Sequence, residues 1–287
     1  MADFDDISFD RPSGPRFEAP EPSGPPLWPF LVIAVVVVSI AAFFYVRSRR
    51  TTQPAEPPRA VQQAPEVRRR AAEPGDPIDL PPLDQSDTLV RTLVGHLSSH
   101  PAIAAWLTTD GLVRNFTVAV ENVSKGTTPA KHLRPLRPSG SFSATSSRGL
   151  TWIDPASYRR YDGIAAAVDS VDARGAAHLY ATLKPRIEDA YHELIGPDAK
   201  FDLALERAIV QLLKTPIVDH DVQLRTDKVL YKYADPSLEE LSSAQRQLLR
   251  MGPRNVRIVK AKLRAIAGFL GIPDALLPPP DPAPPSR

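Results

Sequence analysis

No cysteine occurs in the 287 residues. Its absence excludes disulfide staples, thiolate nucleophiles and zinc–thiolate sites, and leaves the chain indifferent to the redox state of its compartment. The signatures of nucleotide and acyl-transfer chemistry are missing too. There is no P-loop, no dinucleotide fingerprint and no nucleophile elbow, and the hydroxyl-rich stretch Ser141–Ser147 lacks the glycines that would expose a strained serine. Acidic neighbours such as Glu188 with Asp189, or Glu239 with Glu240, are adjacent in sequence, so on a helix they point about 100° apart and do not work as a pair. These gaps leave no catalytic residue, no cofactor and no metal to assign from sequence.

Long apolar runs are scarce, with one exception. Leu27 to Val46, LWPFLVIAVVVVSIAAFFYV, holds no charge and is long enough to cross a bilayer as one helix. It is longer than a signal-peptide core and is followed by Arg47, Arg49 and Arg50 instead of a small-residue cleavage site, so a retained single-pass anchor is expected. Trp28 and Tyr45 stand at its ends, where amphipathic rings favour the headgroup zone. Proline is abundant, 32 residues, and crowds three places that cannot form a compact core. The expected organisation is a disordered acidic Pro-rich tail at 1–26, a transmembrane helix at 27–46, a Pro-rich linker at 47–83, a helical domain at 84–272 and a disordered Pro-rich tail at 273–287.

The linker reads as a stiff polyproline-like spacer of roughly 3.1 Å per residue, able to hold a domain on the order of 100 Å from the bilayer. Arginine placement argues the other way. Arg11 and Arg16 precede the apolar run while Arg47, Arg49, Arg50 and Arg59 follow it, which by the positive-inside rule points the large domain to the cytoplasm. Weighing the spacer against the arginines, the expectation leans to the periplasmic side of a bacterial inner membrane.

Beyond the linker, apolar residues recur at spacings of three and four, the mark of amphipathic helices. Stripes run through Leu89–Leu97 after Asp84 or Ser86, through Pro101–Leu107, and from Leu112 to Val123. Asp154 and Pro155 open another, with Tyr161, Ile164, Val168 and Val171 on one face. Leu179 to Leu194 forms a further stripe, bent or broken at Pro185, and Phe201–Leu213 the next. Leu238, Leu241, Ala244 and Leu248 form one continuous helix after Asp235–Pro236; Gly252 stops it and Pro253 opens the last, Val256 to Leu270. Periodicity fails between Thr127 and Ile153, where Ser141–Ser143, a turn at Ser147–Gly149 and Leu150–Ile153 suggest one small hairpin. Val218–Tyr233 alternates loosely and reads as extended. The fold class is therefore mainly α, with a minor β-hairpin.

Two polar clusters stand out. Tyr158, Arg159, Arg160, Tyr161 and Asp162 interleave at a helix start, suiting an Arg160–Asp162 ion pair or a fork for a carboxylate. Arg250, Arg254, Asn255 and Arg257 flank the corner of the C-terminal helical hairpin, which with Arg246, Lys260, Lys262 and Arg264 is the most basic part of a domain carrying 25 Lys and Arg against 20 Asp and Glu over 84–272. Arg160, Asp162, Arg250, Arg254, Asn255 and Arg257 are thus the candidate binding surface for an acidic protein or anionic polymer; nucleic acid is not expected, because no aromatic platform accompanies the charge. His96 and His100, in HLSSH, share a helical spacing that binds zinc elsewhere, but Leu97 stands where a HExxH glutamate belongs, and ordinary surface or helix-end histidines are the expected reading.

The segments LPPLDQSD (Leu80–Asp87), RYD (Arg160–Asp162), AYHELIG (Ala190–Gly196) and above all YKYADPSLEELSSAQRQLLRMGPRN (Tyr231–Asn255) resemble the proteobacterial membrane-anchored proteins catalogued as domain of unknown function 3014. The likeness covers Leu80 to Gly271. It implies one anchored, mainly helical domain after a Pro-rich spacer, and it supplies no catalytic residue. Together these features lead to the expectation of a membrane-tethered, non-enzymatic binding or scaffold protein of the bacterial envelope, anchored in the lipid bilayer through 27–46. The alternative is an anchored hydrolase of an envelope polymer, which would show a concave pocket with perturbed carboxylates or histidine.

Overall fold

The computed structural model describes residues 75–281 other than 139, 228 and 229. The apolar run at 27–46 lies outside that range, and among the described residues no helix is long and apolar enough to cross a membrane. The order of elements is α1 (Asp87–Gly95), α2 (Pro101–Leu107), α3 (Leu112–Ser124), β1 (Ala144–Ser147), β2 (Leu150–Ile153), α4 (Ala156–Arg159), α5 (Asp162–Asp169), α6 (Ala173–Ile195), α7 (Phe201–Leu213), β3 (Gln223–Asp227), β4 (Leu230–Tyr233), α8 (Pro236–Glu239), α9 (Ser243–Leu249) and α10 (Gly252–Phe269). A mainly helical domain with a small antiparallel sheet results, as the periodicities indicate.

The short first helix owes its place to polar staples. Both carboxylate oxygens of Asp87 accept backbone N–H groups, from Gly111 at 2.7 Å and Leu112 at 2.9 Å, and so cap α3. Arg91, one turn on, donates to the carbonyls of Leu107 at 2.8 Å and Thr109 at 3.0 Å, closing the end of α2. One face of α1 thus satisfies the ends of the two helices that follow it.

Five expectations need correction. The single hairpin is a four-stranded antiparallel sheet in the order β1-β2-β3-β4, because the extended 218–233 region pairs with it through Thr151 opposite Leu224 and Trp152 opposite Gln223. The first strand is Ala144–Ser147, not Ser141–Ser143: Arg148 and Gly149, at φ 51° and 77°, form the two-residue turn that the strand twist favours. The helix after Asp154 divides into α4 and α5, and the helix after Asp235 into α8 and α9. The second division has a local cause: Ser242 accepts from the Gln245 N–H while the Gln245 side chain accepts from the Ser242 N–H, a capping box that starts a new helix. Finally, of the two alternatives at Pro185, a bend or a break, the break is excluded, since α6 runs unbroken through it. Buried Leu183, Ile187, Ala190 and Tyr191 outweigh a lost hydrogen bond and ring clash of about 3 kcal/mol.

The main core lies where α3 packs against α6 and α7. Phe201, fully buried, sits among Phe116, Tyr180 and Tyr191, the last in edge contact at 5.2 Å between centroids. Within this core burial pushes the Glu121 carboxyl up, but hydrogen bonds from Lys125, the Tyr191 hydroxyl at 2.8 Å and Ser124 outweigh it and leave the group below the usual carboxylate range. A second core joins the sheet to α8 and α9 through Ile153, Val222, Leu224, Tyr233, Leu238 and Leu249.

Packing runs past both ends of the expected 84–272 span. Gly75 lies against the backbone of Ala181 and Thr182 so closely that a Cβ would come within 2.2 Å of the Thr182 nitrogen. Asp76 takes its N–H to the Thr182 hydroxyl at 2.9 Å and its carboxylate to His178 at 3.1 Å. At the other end 273–281, expected to be disordered, is strapped down: Leu277 is buried, Arg264 donates to the carbonyls of Pro278 and Pro279, and buried Lys260 holds Asp281. A proline-rich strap lacks N–H donors but keeps its carbonyls, which the basic face of α10 satisfies.

Candidate functional site

The residues picked out from sequence fall into three groups. Asp162, Arg254 and Asn255 come together at the corner where α10 crosses the α4–α5 break. The Asn255 amide nitrogen donates to the Asp162 carboxylate at 2.8 Å, the Met251 carbonyl at 3.0 Å and the Tyr158 carbonyl at 3.3 Å, and the side chain is 2% exposed. Arg254 reaches Asp162 at 3.6 Å from the solvent side. Arg160 does not pair with Asp162: its guanidinium donates to the Ser157 carbonyl at 2.9 Å and lies over the rings of Tyr161 and Phe142. Arg250 contacts Gln247 on its own helix, and Arg257 is drawn down onto Asp219.

The remaining cations of the C-terminal hairpin are likewise turned inward. Arg246 binds Glu239 and its carbonyl, Lys260 the Thr215 carbonyl and Asp281, and Lys262 the Val171 carbonyl at 2.7 Å. The charge that made this hairpin look like a recognition surface largely fastens helix ends, the loop before β3 and the C-terminal strap. Arg250 and Arg254 keep exposed side chains. His100 caps α2 by accepting from the Ala102 N–H at 3.2 Å and His96 follows the end of α1, so the pair does not share a helix face. Among the described residues no group of three or more acidic or histidine side chains is arranged to hold a metal.

What periodicity did not reveal is a half-open hollow of about 470 Å³ lined by α1, α2, α3, α6, α7 and α10. Val120, Leu183 and Ile209 are buried in its wall, and Leu97, Leu179 and Leu270 line it while half-buried. Among the described residues no charged side chain lines it, and polar side-chain atoms come only from Ser98, Trp106 and Tyr180. Were such a volume sealed and empty, it would cost roughly 11 kcal/mol at about 24 cal/mol per Å³, comparable to the whole stability of an ordinary domain. Water is a poor filler, because a buried water needs two to four polar partners.

A smaller cleft of about 240 Å³ adjoins it and shares Tyr180, Leu205 and Leu270 with it. Here the lining turns polar. The Tyr180 hydroxyl donates to one oxygen of Asp202 and the Lys184 ammonium to the other at 2.6 Å, with Glu206 beside them. Burial, then the bond to Asp202, pushes the Tyr180 phenol far above its usual range, which makes it a hydrogen-bond donor and not a nucleophile. Sequence reasoning missed the larger hollow because its walls carry the same aliphatic stripes that signal ordinary helix packing, and the smaller cleft because Lys184 and Asp202 come from two different helices.

Fold and hollows define a class: a helical domain, flanked by proline-rich segments, with an apolar chamber and a polar annex. The family model described as "Protein of unknown function (DUF3014)" matches residues 112–267, and the chain belongs to that family. Neither a curated protein nor a solved structure matches it.

Proposed function

We propose that this is a membrane-tethered, non-enzymatic binding protein of the bacterial cell envelope. Residues 27–46 anchor it, the Pro-rich linker holds the domain on the periplasmic side, and the apolar hollow receives its guest. The observation that carries the binding reading is the hollow's lining: a ligand-sized volume walled by aliphatic and aromatic side chains, with no carboxylate or imidazole in its wall among the described residues. That composition supports holding an apolar molecule over cleaving one, since hydrolysis needs an acid, base or nucleophile within hydrogen-bond reach of the reacting atoms. The surface of Arg160, Asp162, Arg250, Arg254, Asn255 and Arg257 contributes less to the reading, because its charges are mostly engaged within the fold; the exposed Arg250 and Arg254 are left as a secondary contact for an acidic protein or anionic polymer.

The test places a photoreactive amino acid in the full chain, in cells, at Leu179 or Leu212 in the hollow and at exposed Glu240 as control. Adducts specific to the two lining positions are expected. Equal capture at all three positions, or none, refutes the hollow as the binding site.

A further inference from the structure

We infer that the outer face of the sheet binds an acidic polysaccharide, one sugar ring stacked on Trp152 and the carboxylate of the next held by Arg225. The site is separate from the hollow, whose lining includes no strand residue among those described. Alternation decides which face of the sheet is free. Ile153, Leu224 and Tyr233 are buried in the second core, so the residues between them point the other way. On that other face the register sets Trp152 between Thr145 of β1 and Gln223 of β3. One row along, Leu150 stands opposite Ser147, and continuing the β2–β3 register by one residue puts Arg225 on its other side.

Trp152 packs against none of the buried clusters, and Leu150, two residues away on the same face, is 45% exposed. A Trp and a Leu left outside every core and set side by side, about 7 Å apart along the strand, form a contact surface. The flanks of this strip fix the chemistry. Thr145, Ser147 and Gln223 carry groups that both donate and accept, and none of the three side chains is hydrogen-bonded among the described residues. A sugar ring matches on both counts: its C–H face lies flat on an indole, and its hydroxyls, donors and acceptors alike, reach the flanking groups at the ring's edge. Arg225 adds a charge. It is exposed and has no ion pair among the described residues, so its planar fork is open to grip a carboxylate bidentately. Being diagonal to Trp152, at about 7–8 Å, it meets the sugar that lies over Leu150 and not the one stacked on the indole. Recognition uses that one fork and not the summed charge of the face. Single-stranded nucleic acid asks for a run of aromatic platforms, where this face has a single one among the described residues, and an acidic peptide adds to the edge of a sheet through its backbone and not to its face.

The experiment titrates the full chain, purified in detergent micelles, with tetragalacturonate and with its methyl ester, which keeps the rings and removes the charge; equilibrium dialysis reads the binding. The acid is expected to bind saturably and the ester about tenfold more weakly, the worth of one charge-assisted hydrogen bond. Arg225→Gln should bring the acid down to the ester and leave the ester unchanged. Trp152→Ala should weaken both by about tenfold or more, and Trp152→Phe should keep most of the affinity. An unchanged thermal midpoint certifies each fold, and Arg225→Gln, on an exposed side chain, keeps the test decisive where Trp152→Ala does not fold. No saturable binding of the acid, or binding that neither variant weakens, overturns the site. Equal binding of acid and ester overturns the carboxylate contact. Loss in Arg250→Glu with Arg254→Glu, and none in the sheet variants, moves the polymer to the corner of α10 and overturns the sheet as its site. A thymidine hexanucleotide or phosphatidylglycerol vesicles bound more tightly than the acid, and lost in the same sheet variants, overturn the glycan as occupant. Photoadducts at Leu179 and Leu212 are expected to be the same in every sheet variant, so the hollow is judged apart from the sheet.

Discussion

At the scale of single residues, the corner around Asn255 shows how much of the domain hangs on one amide. Its nitrogen ties α10 to the carbonyl of Tyr158 and to Asp162 across the break between α4 and α5. Asn255→Asp would replace that donor by a buried carboxylate facing another, a loss of about 3 kcal/mol or more at neutral pH. Urea unfolding should show the deficit shrinking as the pH falls and the new acid, its pKa raised by burial and by Asp162, takes up a proton. A variant as stable as the parent at pH 7 would contradict the clamp. Gly252, next to it, is required twice over. Its φ is 80°, and a Cβ would fall 2.4 Å from the Tyr158 ring. Gly252→Ala should therefore cost more than the roughly 1 kcal/mol expected of a left-handed glycine alone, read as a lowered thermal midpoint.

Among the elements, what was legible in sequence followed from locality. Helices α2, α3, α7 and α10 appear where their three-four stripes and caps place them, because the signal lies within each segment. The capping box Ser242–Gln245 was present in the sequence and overridden by a stripe that ran across it. Ser242→Ala should lower stability by about 1 kcal/mol and shift amide-exchange protection in α9 while leaving α8 unchanged; uniform loss of protection would show that the two helices behave as one. The sheet was half legible. The Arg148–Gly149 turn is local, whereas pairing of β2 with β3 joins residues more than seventy positions apart and leaves no trace in either strand. The same limit hid the hollow, since a stripe shows that a face is apolar and not whether the opposing faces meet. It also misread the basic hairpin, whose arginines and lysines find partners on distant loops and on the C-terminal strap.

For the molecule as a whole, titration and binding give the broadest checks. Burial pushes the phenols of Tyr158 and Tyr191 up to about 12, helped in Tyr191 by its bond to Glu121, and raises Tyr180 and Tyr233 as well. A raised folded pKa means stability that is complete below the unfolded value near 10 and lost as the pH rises toward 12. The urea midpoint should fall over that interval, with phenolate absorbance from these tyrosines rising together with unfolding; ionisation near pH 10 in an intact fold would contradict their burial. The central claim is that the apolar hollow is a binding site, and its most direct test is titration of an environment-sensitive apolar dye into washed membranes carrying the full chain. Saturable emission above that of membranes without the protein is expected, and its loss in Ala208→Phe, which puts a ring into the hollow while circular dichroism stays native. Saturable binding that Ala208→Phe leaves unchanged, or no saturable binding by the parent chain, would contradict it.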